Sequence, residues 1–227
     1  MIEIRPLLPA ESDRSARMHQ EVLGMEFLVR LGPRFLAAYH RAWACSPSGM
    51  ALAAVEPRRG VVGVILGSVD PASHYRWMLV HAGPGLALRL IARSVTHPAL
   101  GRDLVATRAA RYAGAVWRHL ATAEPPGPDA SHRTGEVTHL MVSSEARRLG
   151  VGAALLAEAE RRAVMAGVDE MVLVTPPDLD ARRFYEHLGW ESTGTMTSRS
   201  GEHFIRFSRR LRTAEVAGSR EDVGLAQ

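Results

Sequence analysis

The stretch LMVSSEARRLGVGA, residues 140–153, decides the fold. Leu140, Met141 and Val142 end an apolar run over 136–142 that reads as a strand, and Gly150 opens a helix over 150–166 that Gly167 ends. Between them stands an R-x-x-G-x-G loop, spelled Arg147, Arg148, Leu149, Gly150, Val151, Gly152 and leading into Ala153. The first N–H groups of a helix have no intrahelical acceptor, and the helix dipole adds partial positive charge there. Glycines at 150 and 152 let the backbone approach a ligand that a Cβ would hold off, while Arg147 and Arg148 add formal charge suited to a pyrophosphate. Taken alone, the loop fits equally well a glycine-containing helix start with solvated arginines.

Outward from this loop, strand and helix signals alternate. Downstream, residues 171–175 read as a strand, Asp178 or Asp180 caps a helix that Gly189 ends, and 190–197 and 203–209 fit two further strands. Upstream, residues 1–7 read as a strand and 10–23 as a helix. A second helix over 32–44 carries Phe35, Leu36, Tyr39 and Trp43 on one stripe. Residues 50–55 and 61–69 form a hairpin around Pro57, Arg58, Arg59 and Gly60. Helical spacing returns at 86–95 and 103–120, followed by a proline-rich connection over 123–135. The polar tail over 213–227 is expected to fray.

A chain of 227 residues with 46% hydrophobic content is long enough for one generous core and too apolar to be a disordered polar chain. Its longest stretch free of Asp, Glu and Arg, 42–55, falls short of the ~18 residues that span a bilayer. Glu3, Arg5, Glu11, Asp13, Arg14 and Arg17 interrupt the opening residues, so no signal peptide is read and a cytoplasmic protein is expected. Cys45 is the sole cysteine, and none of the 10 histidines forms H-E-x-x-H, so neither a disulfide nor a metal site is expected. All 28 basic residues are arginine. The missing lysine excludes a Walker phosphate loop, a Schiff-base enzyme and a lysine-activated serine hydrolase. The bland reading of its absence is biased genomic base composition, which is favoured over a functional one. Residues 71–123 hold seven arginines (76, 89, 93, 102, 108, 111 and 118) against the single acid Asp103. Basic and aromatic residues do not interleave, which argues against a nucleic-acid partner.

The order strand, R-x-x-G-x-G, helix, strand, then a helix ending FYEHLGW, then two strands, resembles the GNAT superfamily of N-acetyltransferases. Its second signature, N-x-x-A-x-x-x-Y followed by G-F/W, is filled here by Ala181, Tyr185, Gly189 and Trp190. The match covers 136–209, and residues 1–70 agree in element order. The resemblance implies a mixed, largely antiparallel sheet of about seven strands flanked by helices. That sheet is splayed between its fourth and fifth strands, with acetyl-CoA in the gap and neither metal nor prosthetic group. It implies one domain over 1–212, with a helical insertion at about 71–135 between the third and fourth strands.

Site roles follow from the same resemblance. Backbone groups of Leu140, Met141 and Val142 would bond the pantetheine arm and the thioester carbonyl. Arg147, Arg148, Leu149, Gly150, Val151, Gly152 and Ala153 would cradle the pyrophosphate, and Asp178 stands where the family's next helix begins with Asn. Tyr185 would protonate the departing thiolate; its bland reading is a core tyrosine. Glu136 matches the strand glutamate that deprotonates the amine in histone-type members. Strict alternation places Glu136 with Thr138 and Leu140 on one face and His139 on the other. Leu149 replaces the frequent basic residue of the phosphate loop. The expected activity is acetyl transfer to a primary amine of a small molecule by direct attack in a ternary complex. The alternatives are a protein N-terminal or lysine acetyltransferase, a non-catalytic acyl-CoA-binding domain, and a peripheral membrane module. The family supplies no role for 71–123. That segment reads as a helical flap over the acceptor side, its stripe packed on the sheet or on a second subunit of a homodimer. Its charge fits either a solvated arginine face in a lysine-free protein or an acceptor bearing carboxylate or phosphate.

Overall fold

Strands β2 (Gly49–Glu56) and β3 (Gly60–Ser68) are almost continuously apolar and mostly buried on both faces, so they need cover on each side. The computed structural model describes residues 2–24, 27–99, 101–102, 132–177, 179–197 and 203–211, and within these that cover is found. Asp178, the 103–120 helix with Arg108, Arg111 and Arg118, and the 213–227 tail lie outside the described residues.

Strand β1 (Glu3–Pro6) flanks β2, and β4 (Thr134–Val142) flanks β3. Beyond them come β5 (Glu170–Thr175), β6 (Glu191–Thr197) and β7 (His203–Arg210), in the order β1-β2-β3-β4-β5-β7-β6. Among the described residues, only the β4–β5 pair is parallel. The mixed, largely antiparallel seven-stranded sheet is as expected.

One face is covered by α1 (Ser12–Val22), the short α2 (Phe27–Arg30) and α3 (Pro33–Cys45), where Trp43, Leu66 and Met141 share a core. The other face is covered by α6 (Val151–Met165), whose Val151, Leu155, Leu156, Ala159 and Ala163 are buried against Ile65, Leu173 and Phe207. Gly63 sets this approach. A Cβ there would stand 3.0 Å from both Leu155 Cδ1 and Val151 Cγ1, so glycine on β3 lets the first turn of α6 sit down on the sheet. Helix α7 (Leu179–His187) closes the same side, and Trp190 Nε1 donates to Glu160 Oε1 at 2.9 Å to tie the start of β6 to α6.

The insertion between β3 and β4 begins earlier than periodicity suggests. Among the described residues it comprises α4 (Pro71–Trp77), a π-helical turn (Met78–Ala82) and α5 (Gly83–Thr96). Asp70 caps α4 by accepting from Ser73 N at 3.0 Å, with Pro71 in the first turn. His74 anchors the helix: its Nδ1 lies 2.8 Å from Ser46 Oγ and its ring stacks on Trp43 at 3.8 Å. Burial pushes the His74 imidazole down to about 4, which keeps it neutral. Leu86 and Leu90 of α5 pack beside Leu31 and Phe35. Among the described residues, no helix is long and apolar enough to cross a membrane.

Candidate active site

Strands β4 and β5 pair only from Thr134↔Glu170 to Val137↔Leu173. Beyond that point β5 stays with β7 as far as Thr175, while residues 138–142 remain with β3 apart from the bulged Thr138. The backbone edge of β4 is thereby freed from β5, at the position where the expected splay falls.

A cleft of about 460 Å³ occupies this gap. Leu140 and Val142 of β4, the 146–153 loop and helix start, Ala181, Phe184 and Tyr185 of α7, and Val22 of α1 contribute to its lining. Gly150 sits just before α6 with φ +76° and Arg148 has φ +61°, so the chain makes two left-handed steps as it turns into the helix. The first intrahelical bond is Ala154 N to Gly150 O at 2.9 Å, and no side chain caps this end. The N–H groups of Val151, Gly152 and Ala153 therefore precede the helix's own acceptors. Gly152 forms part of the floor: a Cβ there would lie 3.3 Å from Phe184 Cζ and 3.7 Å from Val142 Cγ2. Arg147 Nε reaches back to the Val142 carbonyl at 3.4 Å.

Most of the expected cofactor residues thus meet at one cleft: Leu140, Val142, Arg147, Arg148, Gly150, Val151, Gly152 and Ala153. Met141 is fully buried in the opposite core, which leaves only its backbone for a ligand. Leu149 is 65% exposed and does not line the cleft. A larger hollow of about 1040 Å³ lies between α6 and β7, and within its lining Arg209 Nε is 3.2 Å from Glu160 Oε2.

Tyr185 lines the cleft with its ring set against Phe184 at 5.1 Å and Phe207 at 5.6 Å. Burial pushes its phenol up to about 12, so the hydroxyl keeps its proton at neutral pH.

Glu136 requires a correction. Between Leu66↔His139 and Gly67↔Val137 the β3–β4 register shifts, leaving Thr138 as an extra residue on β4. The bulge breaks the alternation of period two. Val137 joins the α6-side core with Leu140 and Val142, while Glu136 falls on the opposite face with His139. His139 packs there against His19 at 4.8 Å and Tyr39 at 6.1 Å. His19 Nδ1 in turn lies 3.0 Å from His40 Nε2, and His40 Nδ1 lies 2.6 Å from Ser15 Oγ. Glu136 is half-buried, and Tyr75 of α4 and Thr138 both hydrogen-bond its carboxylate. Burial raises its pKa above the ordinary carboxylate value, and the two hydrogen bonds partly oppose that rise. Tyr75 escaped the sequence reading, although Asp70-Pro71 is a helix-start signal that would have placed it on α4.

Residues 100–190 match the Acetyltransferase (GNAT) family. No curated protein matches the chain. Among solved structures, the ribosomal-protein-S18-alanine N-acetyltransferase of Escherichia coli aligns with a TM-score of 0.56 at 11% identity, over 96% of this chain and 98% of that one. Aminoglycoside 6'-acetyltransferase type Ii gives 0.54 at 16%, over 93% and 97%. The NatC complex bound to Gag peptide and CoA gives 0.53 at 13%, over 93% and 99%. At these identities the likeness is one of fold.

Proposed function

We propose, from the match of residues 100–190 to the GNAT family of acetyltransferases, that the chain transfers an acetyl group from acetyl-CoA to the primary amine of a small molecule, by direct attack in a ternary complex. One observation carries this reading. The β4 edge freed from β5 at residues 138–142 lies along the same cleft as an uncapped, glycine-opened helix start, so one elongated ligand with an anionic middle fits both. Acetyl-CoA, when bound, supplies an acyl group already activated as a thioester.

The chain's own residues do the rest. Backbone groups of Leu140, Met141 and Val142 present donors and acceptors to an extended amide arm. The N–H groups of Val151, Gly152 and Ala153 hold the pyrophosphate, and Arg147 and Arg148 add charge at the mouth. An alkylammonium with pKa near ~10 has no lone pair, so the acceptor nitrogen must lose a proton. The Glu136 carboxylate takes that proton, and its raised pKa brings it closer to the amine's. Tyr185 holds a proton at Oη for the sulfur that leaves. A C–N bond forms as the C–S bond breaks; from ammonium to amide the nitrogen loses two protons, the first to Glu136 before attack and the second as the amide forms, while sulfur gains one from Tyr185. One proton is released to solvent overall, and exchange with solvent resets Glu136 and Tyr185.

Small amines are taken as the acceptor class because Tyr75 of α4 stands at Glu136, with Tyr39 of α3 near Tyr75. The test is thiol release from acetyl-CoA with putrescine, an aminoglycoside, an alanine-initiated peptide and a lysine-containing peptide, against a blank without acceptor. Release with the small amines supports the proposal. Release with peptides alone moves the acceptor class to proteins, and release no faster than the blank with every amine refutes turnover.

A further inference from the structure

Resting on Glu136 as the base, we infer that Tyr75, carried in by the inserted helix α4, is a positioning residue that aims the Glu136 carboxylate at the acceptor nitrogen. The inserted helix thereby becomes part of the acceptor site.

The geometry is a chain of fixed groups. Asp70 caps α4, and His74 is clamped between Ser46 Oγ and the Trp43 ring. The Tyr75 ring then stands edge-on to both Trp43, at 6.3 Å, and His74, at 5.2 Å. Its hydroxyl donates to Glu136, which also has Thr138 Oγ1 at 3.5 Å from Oε1. A carboxylate offers about four lone-pair positions. Two fixed donors turn the remaining ones in one direction, which a freely rotating glutamate on a bulged strand does not do by itself.

Among the described residues, the polar groups around this carboxylate come from α4, α3, β4 and β3, while its partner on β5 is the apolar Val172. Tyr75 comes from α4, with Tyr39 of α3 beside it; Thr138 and His139 come from β4; and Ser68 lies opposite on β3. Of these, Tyr75 and Thr138 are the hydrogen-bond donors that favour the ionised form against the effect of burial. Removing the Tyr75 hydroxyl therefore moves Glu136 titration upward, and the base is lost to protonation at a higher pH than in the parent.

The experiment uses the full chain labelled with carboxyl-¹³C glutamate. Glu136→Gln identifies the Glu136 resonance, and Tyr75→Phe keeps the ring while deleting the donor. The expected result in Tyr75→Phe is an upward shift of Glu136 titration by roughly one pH unit. The acid limb of kcat/KM moves equally for the fastest amine of the panel, with CoA affinity unchanged. Thr138→Val should shift both readouts in the same direction. A merely structural Tyr75 would lower the rate without moving either. If Glu136→Gln retains the acid limb, the base assignment falls. If that limb vanishes in Glu136→Gln yet stays in place in Tyr75→Phe, only the Tyr75 inference is overturned.

Discussion

Replacing Gly152 with Asp should separate binding from folding. Gly152 is the second residue of α6, and a side chain there enters the slot between Val142 and Phe184. The fold has reason to tolerate the change. Glycine costs a helix about 1 kcal/mol relative to alanine, and an acidic side chain in the first turn gains roughly 0.3–1 kcal/mol from the dipole. Against this, the Phe184 ring must yield by a few tenths of an ångström from its 3.3 Å approach. Thermal stability should therefore stay within about 1 kcal/mol of the parent. Binding has no such compensation. A carboxylate about 4 Å from a phosphate charge is repelled by about 4 kcal/mol at an effective dielectric of 20, and screening at an open cleft reduces this to about 2 kcal/mol. A pyrophosphate carries two such charges, so CoA affinity should drop by roughly three decades. Calorimetric titration with CoA at low and high salt reads this directly, with Gly152→Ala reporting the methyl contribution alone. The deficit of Gly152→Asp should narrow in high salt. A variant that melts like the parent and binds CoA within tenfold of it would place the pyrophosphate elsewhere.

Three further outcomes follow from the same geometry. Tyr185→Phe should lower kcat by about 10²-fold with CoA affinity intact; the low end of the general-acid range applies because a phenol near 12 gives its proton uphill to a thiolate of pKa ~8.5, and parental kcat would leave Tyr185 as packing. Glu158 sits 2.7 Å from Arg161 and 2.8 Å from Arg162, which hold its carboxyl at about 2. Because that lies below the ordinary 4.5, the pairs stabilise above about 4.5 and fade as pH falls toward 2. Glu158→Gln should therefore cost under about 1 kcal/mol in denaturant melts at pH 7 and progressively less toward pH 3; a constant deficit would contradict the pairing. Gly67→Ala drives a Cβ into the Glu136 carbonyl oxygen, so stability should fall by about 1–3 kcal/mol and turnover with it; an unchanged melt would mean that β3 and β4 are less tightly paired there than described.

The fold was legible wherever one physical signal dominated. The apolar runs of β2 and β3, the glycine-opened start of α6 and the order of elements around them carried the resemblance that implied a seven-stranded sheet and its splay. The turn into α6 was legible because glycine at 150 and 152 is informative by itself: one takes a left-handed φ of +76°, and the other leaves a floor bare. Helix α4 was not read because its seven residues are too few for periodicity to register, and its signal is a cap. Tyr75 was lost with it. No rule of spacing would have paired residue 75 with residue 136, since a clamp of Ser46, His74 and Trp43 makes the contact.

The bulge at Thr138 is the deeper case, because the sequence pattern there leads to the wrong face. Alternation sets Glu136 beside Leu140, yet one inserted residue turns Glu136 toward α3 and α4 while Leu140 and Val142 stay toward α6. The proposed base and the proposed cofactor groove then lie on opposite faces of a single strand. In a closed sheet they could never act on the same atom. Here pairing with β5 ends at Val137, next to the bulge, and Val22 of α1 reaches the same cleft as Tyr185 of α7, so the gap opens toward both layers. In the proposed reaction the thioester enters from the α6 side, the amine arrives from the α3 and α4 side, and the two meet through the sheet. The bulge and the end of the β5 ladder are thus one device. The first turns the base toward the acceptor, and the second removes the strand that would have separated acceptor from donor.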